Sequence, residues 1–167
     1  MHDQDCICCT QGSTAAKNHM DQLIEKFGHG VITTGTEYRG QNITMAYTLG
    51  LYEHGLPELL VFALPYQVAG MLLNDAVELL KRGEISLEAP CTQLANLPVA
   101  FVAVSPEDAA DYIVQANNRA GRDLPAWQMV WTDTRGNFPW NADFEERFQG
   151  KQPLLGLAAA PLLTKNV

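Results

Sequence analysis

Apolar and polar residues alternate along this chain with two periods, and the periods mark its elements. Met20, Leu23, Ile24 and Phe27 fall at i, i+3, i+4 and i+7, the stripe of an amphipathic helix that Ser13 or Thr14 can cap and Gly28 and Gly30 end. Val31–Thr36 and Ile43–Leu49 then read as strands joined by the turn Glu37–Asn42. In the second strand Ile43, Met45, Tyr47 and Leu49 share one face, leaving Thr44, Ala46 and Thr48 on the other. Gly50–Pro57 reads as a loop, and the unbroken apolar run Leu59–Leu64 as a buried strand. Pro65 suits a first helical position, and Val68, Met71, Leu72, Val77, Leu79 and Leu80 define a helix ending before Gly83. Ile85–Leu87 and Cys91–Leu94 are candidate short edge strands, and Val99–Val104 reads as an interior strand. Ser105-Pro106-Glu107-Asp108 opens one further helix reaching Gly121. Finally, Ala126–Trp131 alternates, with Trp127, Met129 and Trp131 on one side, before a turn at Asp133–Gly136.

Strands joined by a tight turn and also by helical crossovers require a mixed sheet. The expected fold is α+β, a single domain with a mixed, largely antiparallel sheet and about three helices packed on it. Residues 1–12 are expected to be a flexible Cys-rich N-terminus, 13–157 the domain and 158–167 a tail.

With 167 residues and 47% hydrophobic positions, the chain can bury a core without needing a metal or disulfide merely to fold. Eleven Lys+Arg against nineteen Asp+Glu give a net charge of −8. That balance opposes nonspecific contact with nucleic acid or an anionic membrane. No apolar stretch approaches the roughly 20 residues of a membrane span, and the N-terminus lacks the features of a signal peptide. A soluble cytoplasmic protein is expected. Cys6, Cys8 and Cys9 crowd the N-terminus while Cys91 stands alone. Cys6 and Cys9 have a C-x-x-C spacing suited to zinc, but a tetrahedral site would need a further ligand such as His2, His19 or Cys91. The competing reading is an oxidation-prone terminus without metal.

Phosphate loops, nucleophile elbows and H-E-x-x-H helices are absent from the sequence. Three segments instead place polar side chains at strand ends: Tyr47–Leu51, His54–Glu58, and Gln128–Asp133 continuing to Phe138-Pro139-Trp140. Strand ends are where functional groups gather on a rigid frame. His54 with Glu58 is the best acid/base pair, since a carboxylate neighbour raises and orients an imidazole; otherwise the two merely tie down a loop. Gln128 would read a ligand's polar edge or bridge two backbone segments. Asp133 would orient His54 or close an Asx-turn with Arg135-Gly136. Trp127, Trp131 and Trp140 could stack a ligand or pack the core, and His29 would cap the preceding helix.

At these segments the sequence resembles a bacterial family catalogued as domain of unknown function 4262. The resembling residues are His29-Gly30, Ala46–Leu51, His54–Leu59, Leu73-Asn74, Gln128–Asp133, Gly136, Phe138-Pro139-Trp140 and Gln152–Gly156. The match covers most of the chain, from about Gln22 to Gly156, with these separated segments in order. The resemblance implies a bacterial, soluble, single-domain protein and carries no catalytic residues over. It leaves the cysteine-rich start outside.

Three functions follow as expectations. The first is an accessory module binding a small molecule, peptide or protein, with Tyr47, Thr48, His54, Gln128, Trp131 and Trp140 around one pocket. The alternative is a hydrolase or transferase using His54 as base with Glu58 or Asp133 as orienter. The third is a metal or thiol sensor through Cys6, Cys8 and Cys9, with zinc as the candidate ion. The first two need residues near 47, 54, 128 and 133 to meet at one rim of the sheet.

Overall fold

A computed structural model of the chain describes residues 13–156. The Cys-rich segment with Cys6, Cys8 and Cys9, and the tail from residue 158, lie outside the described residues. The elements run α1 (Ser13–Phe27), β1 (Gly30–Tyr38), β2 (Gln41–Leu49), a 3-10 turn (Leu51–His54), β3 (Glu58–Phe62), α2 (Tyr66–Lys81), β4 (Val99–Val104), α3 (Pro106–Ala109), α4 (Val114–Ala120), β5 (Ala126–Trp131) and a second 3-10 turn (Glu146–Phe148). The five strands form one sheet in the order β1-β2-β3-β5-β4. Every neighbouring pair is antiparallel except β3 with β5, which run parallel with Glu58 opposite Ala126. This is the expected α+β fold with a mixed sheet.

The period of two in each strand feeds two cores, one per sheet face. Ala46, Leu59, Val61, Phe101 and Met129 point to the first, where α2 supplies Ala69, Leu72, Leu73, Ala76 and Val77. Those helix positions recur at three and four residues, so one stripe is apolar. Met45, Tyr47, Leu60, Phe62 and Val104 point to the second core, closed by Ile24 of α1 and by Ala109, Ile113 and Ala116. Because β3 is buried on both faces, its sequence is continuously apolar from Leu59 to Phe62 after the buried Glu58 that opens it.

Several expectations need correction. The hairpin turn is two residues, Arg39-Gly40, both with positive φ (50° and 73°), the mirror-image turn that matches strand twist. Val99–Val104 is an edge strand in which Val99, Ala100, Phe101 and Val104 are buried while Ala103 is exposed; beyond it lies a single bridge, Cys91 to Val99. No strand forms at Ile85–Leu87. The helix after Ser105 breaks at 110–113 into two pieces. Pro65 precedes the first turn of α2 instead of occupying it. On α1 only Ile24 is buried and Phe27 is half exposed, because that helix meets little of the sheet beyond β1. Among the described residues no helix is long and apolar enough to cross a membrane.

Candidate functional site

Glu58 opens β3 and is fully buried. Its Oε1 accepts from the backbone N–H of Gly50 (3.0 Å) and Tyr52 (3.3 Å), and its Oε2 accepts from Thr48 Oγ1 (2.5 Å). Thr48 in turn accepts from the Leu59 N–H at 2.8 Å. The β2 end is thereby tied to the β3 start through one carboxylate. Burial pushes the Glu58 pKa above its ordinary value, and these donors offset only part of the rise. The Tyr47 hydroxyl is also pushed up, by burial first and by the charge of Glu58 to a lesser degree, with Gln115 opposing.

His54 ends the adjacent 3-10 turn and is exposed. It lies beside Gly28, where a Cβ would meet its Nε2 at 3.1 Å and Lys81 Nζ at 3.3 Å. The Glu58 oxygens instead take donors from Thr48, Gly50 and Tyr52, so the expected His54–Glu58 hydrogen bond is not made. His29 is buried and does not cap α1. Its Nε2–H donates to Asn74 Oδ1 (2.9 Å) and Lys81 Nζ approaches its Nδ1 (3.4 Å), while Lys81 also caps Phe27 O at 2.8 Å. This link between the residue before β1 and α2 was not legible in the sequence, although His29-Gly30 and Leu73-Asn74 both belong to the resembling segments. Arg119 fixes the neighbouring turn by bonding Glu53 and Asp21 at 2.6 Å each.

Asp133 sits beyond the far end of β5. Since β5 runs parallel to β3, it lies about seven residues past the level of Glu58, roughly 23 Å at ~3.3 Å per residue. It is buried and accepts from the N–H groups of Arg135 (2.9 Å), Asn137 (2.8 Å) and Glu145 (3.0 Å) and from Asn137 Nδ2 (3.1 Å). Burial alone would raise its pKa, but these donors outweigh it and hold the carboxyl down to about 2. The bond to Arg135 closes an Asx-turn. Asp133 therefore cannot orient His54.

Gln128 lies in one cross-strand row with Leu60 and Tyr47, fully buried. Its Nε2 donates to Pro153 O (2.5 Å) and its Oε1 accepts from Leu155 N–H (2.9 Å), clamping the segment after Gly150 onto the sheet. Gln152 makes the matching pair with the backbone of Trp131, at 2.9 and 3.3 Å. Trp131 Nε1 donates to Phe62 O (2.8 Å), and Phe148 stands edge-on to its ring at 6.0 Å. Trp140 stacks on Phe138 at 4.9 Å. The common rim therefore does not form: Tyr47 and Gln128 are interior, while His54 and Asp133 occupy opposite ends of the sheet. Among the described residues no group of three or more His, Cys, Asp or Glu side chains could hold a metal ion.

Open space lies elsewhere, on either side of Phe148. One hollow of about 530 Å³ is lined by Tyr38, Arg39, Pro139, Phe144, Gly150 and Phe148, among others. A second, of about 550 Å³, is lined by Ile43, Ala63, Leu64, Trp131, Arg147 and Lys151, with Phe148 again on its wall. Among the described residues, Arg39 (φ 50°) and Ala63 (φ 59°) are the two non-glycine residues with left-handed backbone. One lines each hollow. Such conformations cost about 1–3 kcal/mol and gather at functional sites. The sequence signal was present only at Arg39-Gly40, where a two-residue turn normally takes Asn or Gly at its first position.

Nothing matches the chain among the curated proteins or among the solved structures. The family model described as "Domain of unknown function (DUF4262)" matches residues 23–145. That span takes in both strained positions and every strand, and the match confirms the resemblance carried by the His29, Tyr47–Leu51, His54 and Gln128–Asp133 segments. The chain belongs to the DUF4262 family.

Proposed function

We propose that this protein is a soluble, cytoplasmic accessory module that binds a small molecule or a peptide in the paired hollows around Phe148. One observation carries the reading: the two non-glycine residues with left-handed backbone line one hollow each, and of the two Ala63 lies outside any tight turn, the kind of position that gathers at functional sites. The geometry around the acid/base candidates supports it from the other side. Glu58 and Asp133 spend their oxygens on backbone donors, and Gln128 spends its amide on the segment it clamps.

Screening isotope-labelled protein by NMR against mixed small molecules and short peptides tests this. Binders should shift the amides of Arg39, Ala63 and Phe148, and Phe148→Ala should abolish their binding. Binders that map to the His54 turn, together with substrate turnover lost in His54→Ala, would overturn it in favour of an enzyme.

A further inference from the structure

We infer that the ligand is an extended peptide segment, which adds itself as a strand to Gln41–Thr44 of β2 in the hollow lined by Ala63 and Trp131. This rests on the binding reading above and narrows its ligand to one class.

The free strand edge follows from the register. The two-residue turn at Arg39-Gly40 makes Tyr38 and Gln41 the first hydrogen-bonded pair of the ribbon, and bonded residues then alternate along β2. Gln41 and Ile43 therefore face β1, while Asn42 and Thr44 turn their backbone N–H and C=O groups the other way. On that side β3 is the neighbour, and the Ala63 N–H given to Thr44 O at 2.8 Å is its last bond to β2. At Ala63 the backbone becomes left-handed (φ 59°), and Leu64 and Pro65 carry the chain away to α2. Among the described residues nothing takes the Thr44 N–H, the Asn42 N–H or the Asn42 C=O.

These groups border a gap inside the sheet. Strands β2 and β5 flank β3, so past its end they stand two strand spacings apart, roughly 9–10 Å, which is the room of one strand. The β5 side already shows what the gap accepts. Gln152 sets its side-chain amide against Trp131, donating to the C=O (2.9 Å) and accepting from the N–H (3.3 Å), the two bonds that a neighbouring strand would make. Beside β2 the hollow of about 550 Å³ follows four consecutive strand residues, Gln41–Thr44, and Ile43, Leu64, Trp131 and Phe148 give it an apolar wall. Main-chain groups at strand spacing beside an apolar pocket are how a sheet captures an extended peptide, the backbone giving affinity and alternate side chains specificity.

Titrating the labelled full chain with acetylated, amidated hexapeptides that alternate Thr with Val, Leu or Phe, and following amide hydrogen exchange by NMR, tests the inference. Bound peptide should slow exchange at Asn42 and Thr44 by roughly tenfold or more and leave Ile43, already bonded to β1, as it was. Methylating one alternate set of peptide nitrogens should abolish binding, and methylating the other set should not. Asn42→Pro removes a donor without touching the bonds to β1 and should weaken binding about fivefold, as loss of one hydrogen bond implies. Equal binding of both methylated sets overturns strand pairing. Protection of Asn42 and Thr44 in the free chain at every dilution assigns the gap to this chain's own residues 157–167, and protection that grows with protein concentration assigns it to a second copy; either result overturns the inference. Benzyl alcohol shifting Ala63 and Phe148 where no peptide does overturns the peptide and leaves the binding site standing. If no probe and no library compound shifts these amides, the binding reading fails with it.

Discussion

Replacing Glu58 by Gln should make the protein more stable at pH 8 and leave it unchanged at pH 4. Among the described residues the buried carboxylate has no cation partner, and its pKa is raised by burial against the pull of Thr48, Tyr52, Gly50 and Leu51. An acid that titrates higher in the folded than in the unfolded chain binds its proton more tightly when folded. The stability it confers is therefore complete below the unfolded value near 4.5 and is lost as pH rises through the folded value. Each unit between the two is worth about 1.4 kcal/mol. Glutamine copies the shape and hydrogen-bonding of the protonated acid, so it keeps the low-pH stability across the whole range. Alanine behaves differently, because it leaves the Gly50 and Tyr52 N–H groups and the Thr48 hydroxyl without an acceptor. At about 1 kcal/mol or more for each orphaned donor, Glu58→Ala should cost about 3–5 kcal/mol at pH 5, a large share of a typical 5–15 kcal/mol. Urea unfolding of the three proteins from pH 4 to pH 8 measures all of this. Parallel pH curves for the wild type and Glu58→Gln would refute the reasoning, as would an alanine variant that loses less than about 1 kcal/mol.

Three further outcomes follow. Ala63→Gly relieves a left-handed alanine and should raise Tm by about 2 °C, the steric gain of about 1–2 kcal/mol being partly offset by glycine's chain entropy; a lower Tm would mean that the methyl packs more than it strains. Asp133 titrates near 2 when folded against 3.8 ordinarily, so its contribution is present above about pH 4 and lost between pH 4 and pH 2. Asp133→Asn should flatten that acid limb of the thermal-melt profile, and an unchanged limb would remove Asp133 from the account. Gln128→Leu strips the partners of Pro153 O and Leu155 N–H and should cost about 2–3 kcal/mol; limited proteolysis should then cut between Gln149 and Gly156 well before the wild type is cut there.

Much of the frame was legible because it rests on periodicity. The alternation of Met45, Tyr47 and Leu49 against Ala46, the unbroken run through β3 and the α2 stripe each follow from which face is buried. Edge or interior position was not legible at Val99–Val104, since burial of most of its side chains makes this edge strand as apolar as a central one. Polar strand ends pointed to residues that matter, but not to what they do. Thr48, Glu58, Gln128 and Asp133 sit where chain segments must be joined, and such joints require the same buried hydrogen-bonding groups as a site. The hollows escaped notice for another reason: Tyr38, Ala63, Trp131 and Phe148 come from four separate segments that only the strand order brings together. One local clue existed, an arginine where a tight turn wants Asn or Gly.

The single parallel joint has a kinetic consequence. Leu59 and Trp127 are partners across it yet stand far apart in the chain, with α2, β4, α3 and α4 threaded between them. The β1–β2 ribbon can zip from its own turn within microseconds, whereas β3 can seal against β5 only after a long loop has closed. Refolding should therefore be paced by that closure, in milliseconds to seconds, with the amino-terminal hairpin waiting on the carboxyl-terminal half before the sheet becomes cooperative.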